Sequence, residues 1–172
     1  MVLAHVGVAV FVVGVTMVRG YGSEKDVRME PGETVELAGY TFRFAGIREL
    51  DGPNYVAARA TIEVTRNGKR EKTLYPEKRV YAVQQMPMTE AAIDTGVTRD
   101  LYVALGEAVT PTAWVVRVQH KPFVDWIWFG AVIMALGGIL AAADRRYRVA
   151  SRAPRVELAP QPQTAAAPAP VR

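Results

Sequence analysis

The sequence predicts a membrane protein of mixed class: two transmembrane α-helices flanking an extracytoplasmic all-β domain of small-barrel or OB-like form. Three observations lead there. The hydrophobic half of the 172 residues gathers in two runs, 1–18 with 14 apolar residues and 123–143 with 17, and neither run holds a Lys or Arg. The stretch between them, 19–122, breaks into short β-type segments with turn signals about every ten residues, the pattern of a sandwich or barrel. Positive charge lies directly after the second run rather than in the central domain.

The first run, 1–18, comes close to the roughly 20 apolar residues that carry a helix across about 30 Å of hydrocarbon. A cleaved signal peptide is the competing reading, but no Lys or Arg precedes the run and no Ala-x-Ala ends it, only Val18-Arg-Gly-Tyr-Gly22. Because the chain starts inside the run with no flanking anchor, it is expected to be a segment of a larger membrane protein or the downstream half of a split gene.

In the central domain, Thr34 to Leu37 and Tyr40 to Phe44 alternate as strands, with Ala38-Gly39 as the turn between them. Tyr55 to Thr65 is the longest strand, placing Ala58, Ala60, Ile62 and Val64 on one face. Asn67-Gly68 follows it, the dipeptide that supplies the two positive φ angles of a tight type I′ hairpin. Thr73 to Tyr75, Arg79 to Val83, Leu101 to Leu105 and Trp114 to Gln119 complete the set before Pro122. Thr89 to Ile93 reads as the capped start of a short helix, or as an apolar patch with Met86 and Met88. Pro76 to Arg79 reads as a solvated, charged turn.

The second run, 123–143, is the second span. Asp144-Arg-Arg-Tyr-Arg148, Arg152 and Arg155 follow it, and positive charge close to a helix end places that end in the cytoplasm. The central domain is then extracytoplasmic. It carries 15 Lys+Arg against 14 Asp+Glu, so the net charge of +4 is juxtamembrane and marks no nucleic-acid surface. Residues 144–172, basic and then rich in Pro and Ala, read as a disordered cytoplasmic tail.

Several chemistries are excluded. With no cysteine there are no disulfides, thiolate metal sites or thiol nucleophiles. No phosphate-cradling glycine loop, His-Glu-x-x-His or Ser/His/Asp set is present, so a self-sufficient hydrolase or nucleotide enzyme is disfavoured. The residue that stands out is His5, an ionisable side chain inside a span, where such groups face a partner or a cofactor. Hydrocarbon favours the neutral imidazole, whose ring lone pair is the form that binds iron, so axial haem ligation competes with a hydrogen bond to a neighbouring helix. Gly7 with Gly14, Gly130 with Gly137, and Gly138 with Ala142 suit close helix packing, read here as docking to other membrane helices. Trp126 and Trp128 read as interfacial belt residues, and Asp125 as solvated at the outer end of its span. His120 reads as a lone surface histidine.

Ala4-His5-Val-Gly-Val-Ala-Val10, Pro31-Gly32 leading to Gly39-Tyr-Thr-Phe42, Gly52-Pro-Asn-Tyr55, Tyr75-Pro-Glu-Lys-Arg79 with Tyr81, Thr89-Glu-Ala-Ala-Ile93, Arg99-Asp-Leu-Tyr-Val-Ala-Leu-Gly-Glu107, and Lys121-Pro-Phe123 with Trp126-Ile-Trp128 occur in this order. Together they resemble the C-terminal part of the CcmF family of cytochrome c-type biogenesis proteins, over about Met1 to Arg148. The resemblance implies a bacterial inner-membrane haem lyase subunit that supports covalent attachment of haem to apocytochrome c, with its central domain in the periplasm. It implies a transmembrane haem b held by two histidines, with His5 by position the second of them, an axial ligand to the haem iron, and the other outside this chain. The implied partners are the N-terminal part of the same family protein, a haem chaperone, a thiol-handling haem lyase subunit and apocytochrome c. The family's tryptophan-rich haem-handling segment, its two periplasmic histidines and its other transmembrane histidine have no counterpart here, so the chain is expected to act as a module of the lyase rather than as a catalyst by itself. The alternative is a non-catalytic, membrane-tethered β-domain that binds a periplasmic partner, with His5 structural.

Overall fold

Each apolar run forms one 20-residue helix, about 30 Å long at 1.5 Å per residue, in the computed structural model, which describes residues 2–83 and 85–143. The first, α1 (Val2–Tyr21), continues three residues past the apolar run and closes where the Gly22 amide donates to the Val18 carbonyl at 3.1 Å. The second, α2 (Val124–Ala143), starts directly after the last strand. The tail expected at 144–172 lies outside the described residues.

Between the helices lie ten strands: β1 (Ser23–Met29), β2 (Thr34–Leu37), β3 (Tyr40–Asp51), β4 (Tyr55–Arg66), β5 (Lys69–Leu74), β6 (Glu77–Tyr81), β7 (Pro87–Glu90), β8 (Ala92–Asp94), β9 (Arg99–Ala108) and β10 (Trp114–Pro122). All pairings are antiparallel. One sheet has the order β1-β10-β9-β8, the other β2-β3-β4-β6-β7. β4 is long enough to hold two partners on one edge, β6 along Tyr55 to Arg59 and β5 along Ile62 to Arg66. The all-β domain is thus a curled sandwich of two sheets.

Its core follows from alternation. Ala60, Ile62 and Val64 of β4 and Phe42 and Phe44 of β3 are fully buried, and they face Met29, Leu101, Val103, Leu105, Val116 and Val118 of the other sheet. Burying each large side chain contributes roughly 1.5–3 kcal/mol. Both hairpin turns take the conformation that strand twist prefers: Asn67 and Gly68 have φ of 51° and 74°, Ala38 and Gly39 have 52° and 77°.

Three local readings change. Thr89 to Ile93 forms no helix: Pro87–Glu90 pairs with β6 and Ala92–Asp94 with β9, the chain crossing between sheets at Ala91. Open sheet edges on both sides outweigh a capping signal that is purely local. β3 runs on to Asp51 because a bulge between Phe44 and Gly46, with Gly46 at φ 137°, shifts the alternation without ending the strand. β1 escapes a hydrophobic pattern because it is a charged edge strand, with only Met29 fully buried.

Candidate functional site

α1 and α2 pack antiparallel with their backbones nearly touching, and the only buried residues of the pair are Gly7, Gly14, Gly130 and Gly137. A Cβ on Gly7 would lie 2.5 Å from the Met134 amide nitrogen, one on Gly14 2.8 Å from that of Ile127, one on Gly130 2.5 Å from that of Phe11, and one on Gly137 2.5 Å from that of Ala4. These four glycines are therefore taken up by the helix hairpin itself and are not open to other helices, which corrects the docking expectation. Gly138 is different, since a Cβ there would meet nothing within 4 Å.

The glycine seam fixes where His5 points. At about 100° per residue His5 lies roughly 160° around α1 from Gly7. It is exposed on the face turned away from α2, in one stripe with Ala9, Val12 and Thr16, all exposed. It sits fourteen residues from Arg19, about 21 Å along the helix, and so lies deep in the apolar segment. No group of three or more His, Asp or Glu side chains able to hold a metal occurs among the described residues. An outward imidazole on an apolar face fits one axial position of a haem, which draws only one or two ligands from protein. It does not fit a metal centre built from the described residues of this chain alone.

His120 belongs to a different neighbourhood, about 26 Å of helix away from His5. It pairs in register with Ser23 at the start of β1, where α1 hands over to the sandwich. Val116, Val118 and His120 share the core-facing side of β10, so His120 is half-buried rather than a surface residue. Its ring lies 6.2 Å from that of Tyr40, and its Nδ1 is buried with no hydrogen-bond partner. Burial, then the nearby Arg99 and Arg66 charges, holds its pKa below the ordinary imidazole value. The Tyr40 hydroxyl oxygen accepts from Arg66 Nη1 at 3.2 Å and from Arg99 Nε at 3.1 Å. Arg99 also donates to Asp94 at 2.6 Å, and Asp94 accepts from Lys72 at 2.5 Å. Burial works to raise the Asp94 carboxyl, but the Lys72 and Arg99 hydrogen bonds outweigh it and hold it below the usual carboxylate range.

Neither Tyr40 nor Arg66 nor Arg99 stands out in the sequence as part of a polar cluster. Tyr40 and Arg66 are register partners in the β3–β4 pair, but the bulge between Phe44 and Gly46 shifts the register and hides the pairing in the sequence. Arg99 comes from the other sheet, 59 residues on from Tyr40, with no local signal. The charged segment Pro76 to Arg79 also proves less solvated than expected. Glu77 is 4% exposed and gripped by Arg59 at 2.5 Å and Arg79 at 2.7 Å.

A family profile described as the CcmF C-terminal beta-sandwich matches residues 20–122, β1 to β10 with the preceding two helix residues and Gly22. The chain belongs to the CcmF family. It is 57% identical over 149 residues to the cytochrome c-type biogenesis protein CcmF of Pseudomonas aeruginosa, covering 87% of this chain and 23% of that protein. To the protein of that name from Escherichia coli it is 53% identical over 148 residues, covering 86% and 23%. Among solved structures, one named cytochrome c heme lyase CcmF superposes with a TM-score of 0.62 at 20% identity, over 80% of this chain and 23% of that one. This last likeness is one of fold. The chain spans about a quarter of the length of the CcmF relatives it matches.

Proposed function

We propose that this chain is the C-terminal module of a cytochrome c haem lyase subunit, in which α1 presents His5 as one axial ligand of a transmembrane haem b shared with a histidine outside the chain. The observation that carries the reading is orientation: the glycine seam commits the opposite face of α1 to α2, leaving His5 turned outward, deep in an apolar span, toward whatever helix packs there. Bound at that position, the haem iron would supply one-electron redox chemistry. The contribution of this chain's own residues is to hold the imidazole in place. Gly7 and Gly14 lock the helix against α2.

The juxtamembrane Arg145, Arg146 and Arg148 favour a cytoplasmic C-terminus, which places the sandwich in the periplasm of a bacterial inner membrane. There it would meet a haem chaperone, a thiol-handling lyase subunit and apocytochrome c, whose cysteines provide the thiols this chain lacks. Catalysis is expected only with the N-terminal part of the family protein.

Co-production of this chain with that N-terminal part tests the reading. A b-type absorption spectrum that His5→Ala abolishes, with the two parts still co-purifying, is the expected result. An unchanged spectrum would remove the ligand assignment and favour the membrane-tethered scaffold.

A further inference from the structure

One edge of the sandwich faces the same way as the ends of the two helices. Ser23 begins β1 one residue after Gly22, and Pro122 ends β10 immediately before Phe123 and α2. The loop between β8 and β9 is tied to that level: Trp126 Nε1 donates to the Val97 carbonyl at 3.0 Å and the Phe123 amide to the Thr98 carbonyl at 3.0 Å. The tip of the β4–β5 hairpin lies at this edge too. Arg66 pairs with Tyr40, and Tyr40 stands against His120, two residues short of Pro122. Arg66 and Lys69 are register partners, so Asn67 and Gly68 lie abreast and the tip extends about one residue, or roughly 3 Å, beyond Arg66 toward the level where α2 begins.

The hairpin at that edge is basic. From Arg66 to Lys72 every residue is exposed, and the segment holds Arg66, Lys69, Arg70 and Lys72 against a single acid, Glu71. Only Lys72 of the four meets a carboxylate, that of Asp94. Arg66 is held against the Tyr40 ring and hydroxyl, and Arg70 donates to the Thr73 hydroxyl. Among the described residues, three of these cations therefore carry no carboxylate partner. Beside them Val97, on the loop held by Trp126, is 62% exposed. Basic side chains next to an exposed apolar residue, at the level where spanning helices leave hydrocarbon, match the chemistry of a phospholipid headgroup layer.

We propose that the β4–β5 hairpin rests on the anionic phosphate headgroups of the leaflet from which α1 and α2 emerge, with Arg66, Lys69 and Arg70 as the contacting cations. Tyr40 holds Arg66 in place through its ring and hydroxyl. The contact would fix the tilt of the sandwich over the bilayer, and it does not depend on whether His5 binds iron.

Because the chain has no cysteine, Glu71→Cys creates a single thiol on the hairpin for a polarity-sensitive fluorophore. The labelled full chain is placed in nanodiscs of phosphatidylcholine alone or of phosphatidylcholine with phosphatidylglycerol. The expected result is a blue-shifted emission in the anionic discs only. It should be lost in about 1 M salt, where the screening length is about 3 Å, lost in the Lys69→Gln/Arg70→Gln variant, and kept in Lys69→Arg/Arg70→Lys. Identical water-exposed emission in both discs would overturn the proposal in favour of a solvated face. A blue shift in both discs, insensitive to salt, would overturn it in favour of a covering protein segment.

Discussion

The helix hairpin and the sandwich use apolar residues in opposite ways. In α1 and α2 the seam glycines Gly7, Gly14, Gly130 and Gly137 are buried while Val2, Val12, Ile139 and Leu140 are more than half exposed. In the sandwich Phe42, Phe44 and Ile62 are fully buried, while Gly39 and Gly68 sit exposed in turns. The difference lies in the solvent. Hydrocarbon gives an apolar side chain no reason to leave it, so the helices associate through close backbone approach, whereas water drives the strands' apolar faces together.

The largest expected contrast comes from truncating one side chain in each region. Phe42→Ala should cost the sandwich about 3–5 kcal/mol, whereas Val12→Ala should change stability by no more than about 0.5 kcal/mol. Chemical denaturation of the solubilised chain, followed separately by sandwich and helix signals, measures both. Comparable losses at the two sites would erase the contrast. Within the helix pair, enlarging a glycine should matter only at the seam. Gly7→Val would drive side-chain carbon into the Met134 backbone and loosen the helix pair by on the order of 1–3 kcal/mol, read as increased separation of probes on α1 and α2. Gly138→Val, which meets open space, should leave that separation unchanged.

A smaller effect is a pH dependence confined to the sandwich. Folding holds the His120 pKa below its ordinary value near 6.5, so the unfolded chain binds a proton that the folded chain resists. Stability then rises with pH across the interval between the two values and falls on acidification below about 6.5. His120→Gln should flatten this slope in denaturation midpoints measured from about pH 7 to about pH 5, the range in which an ordinary imidazole titrates. Asp94, held below its usual range by Lys72 and Arg99, stays ionised there and loses its contribution only at lower pH. The smallest effect is at the β2–β3 turn. Ala38 at φ 52° carries a Cβ in a left-handed conformation, so Ala38→Asn should stabilise the sandwich by about 0.5–1 kcal/mol.

What the sequence reveals differs between the two regions for the same physical reason. Helix identity in a membrane is a matter of composition and length, so both spans are legible, and a lone imidazole within one is conspicuous. Which face His5 occupies is not legible, because it depends on which glycines α2 covers. In the sandwich, strands with one wet face, such as β2 and β4, announce themselves by alternation. β1, β7 and β8 do not, since a charged edge strand and pieces of four and three residues are specified by the partners they meet. The cluster of Tyr40, Arg66, Arg99 and His120 is hidden for the same reason: its members come from four strands and both sheets.

The two histidines separate a haem ligand from a structural imidazole. His5 faces out of a span, and His120 closes the end of the sandwich core against Tyr40. Absorption spectra of this chain co-purified with the N-terminal part of a CcmF protein, compared for His5→Ala and His120→Ala, separate them. The b-type signal should be lost with His5→Ala and retained with His120→Ala; retention in His5→Ala would contradict the ligand role of His5.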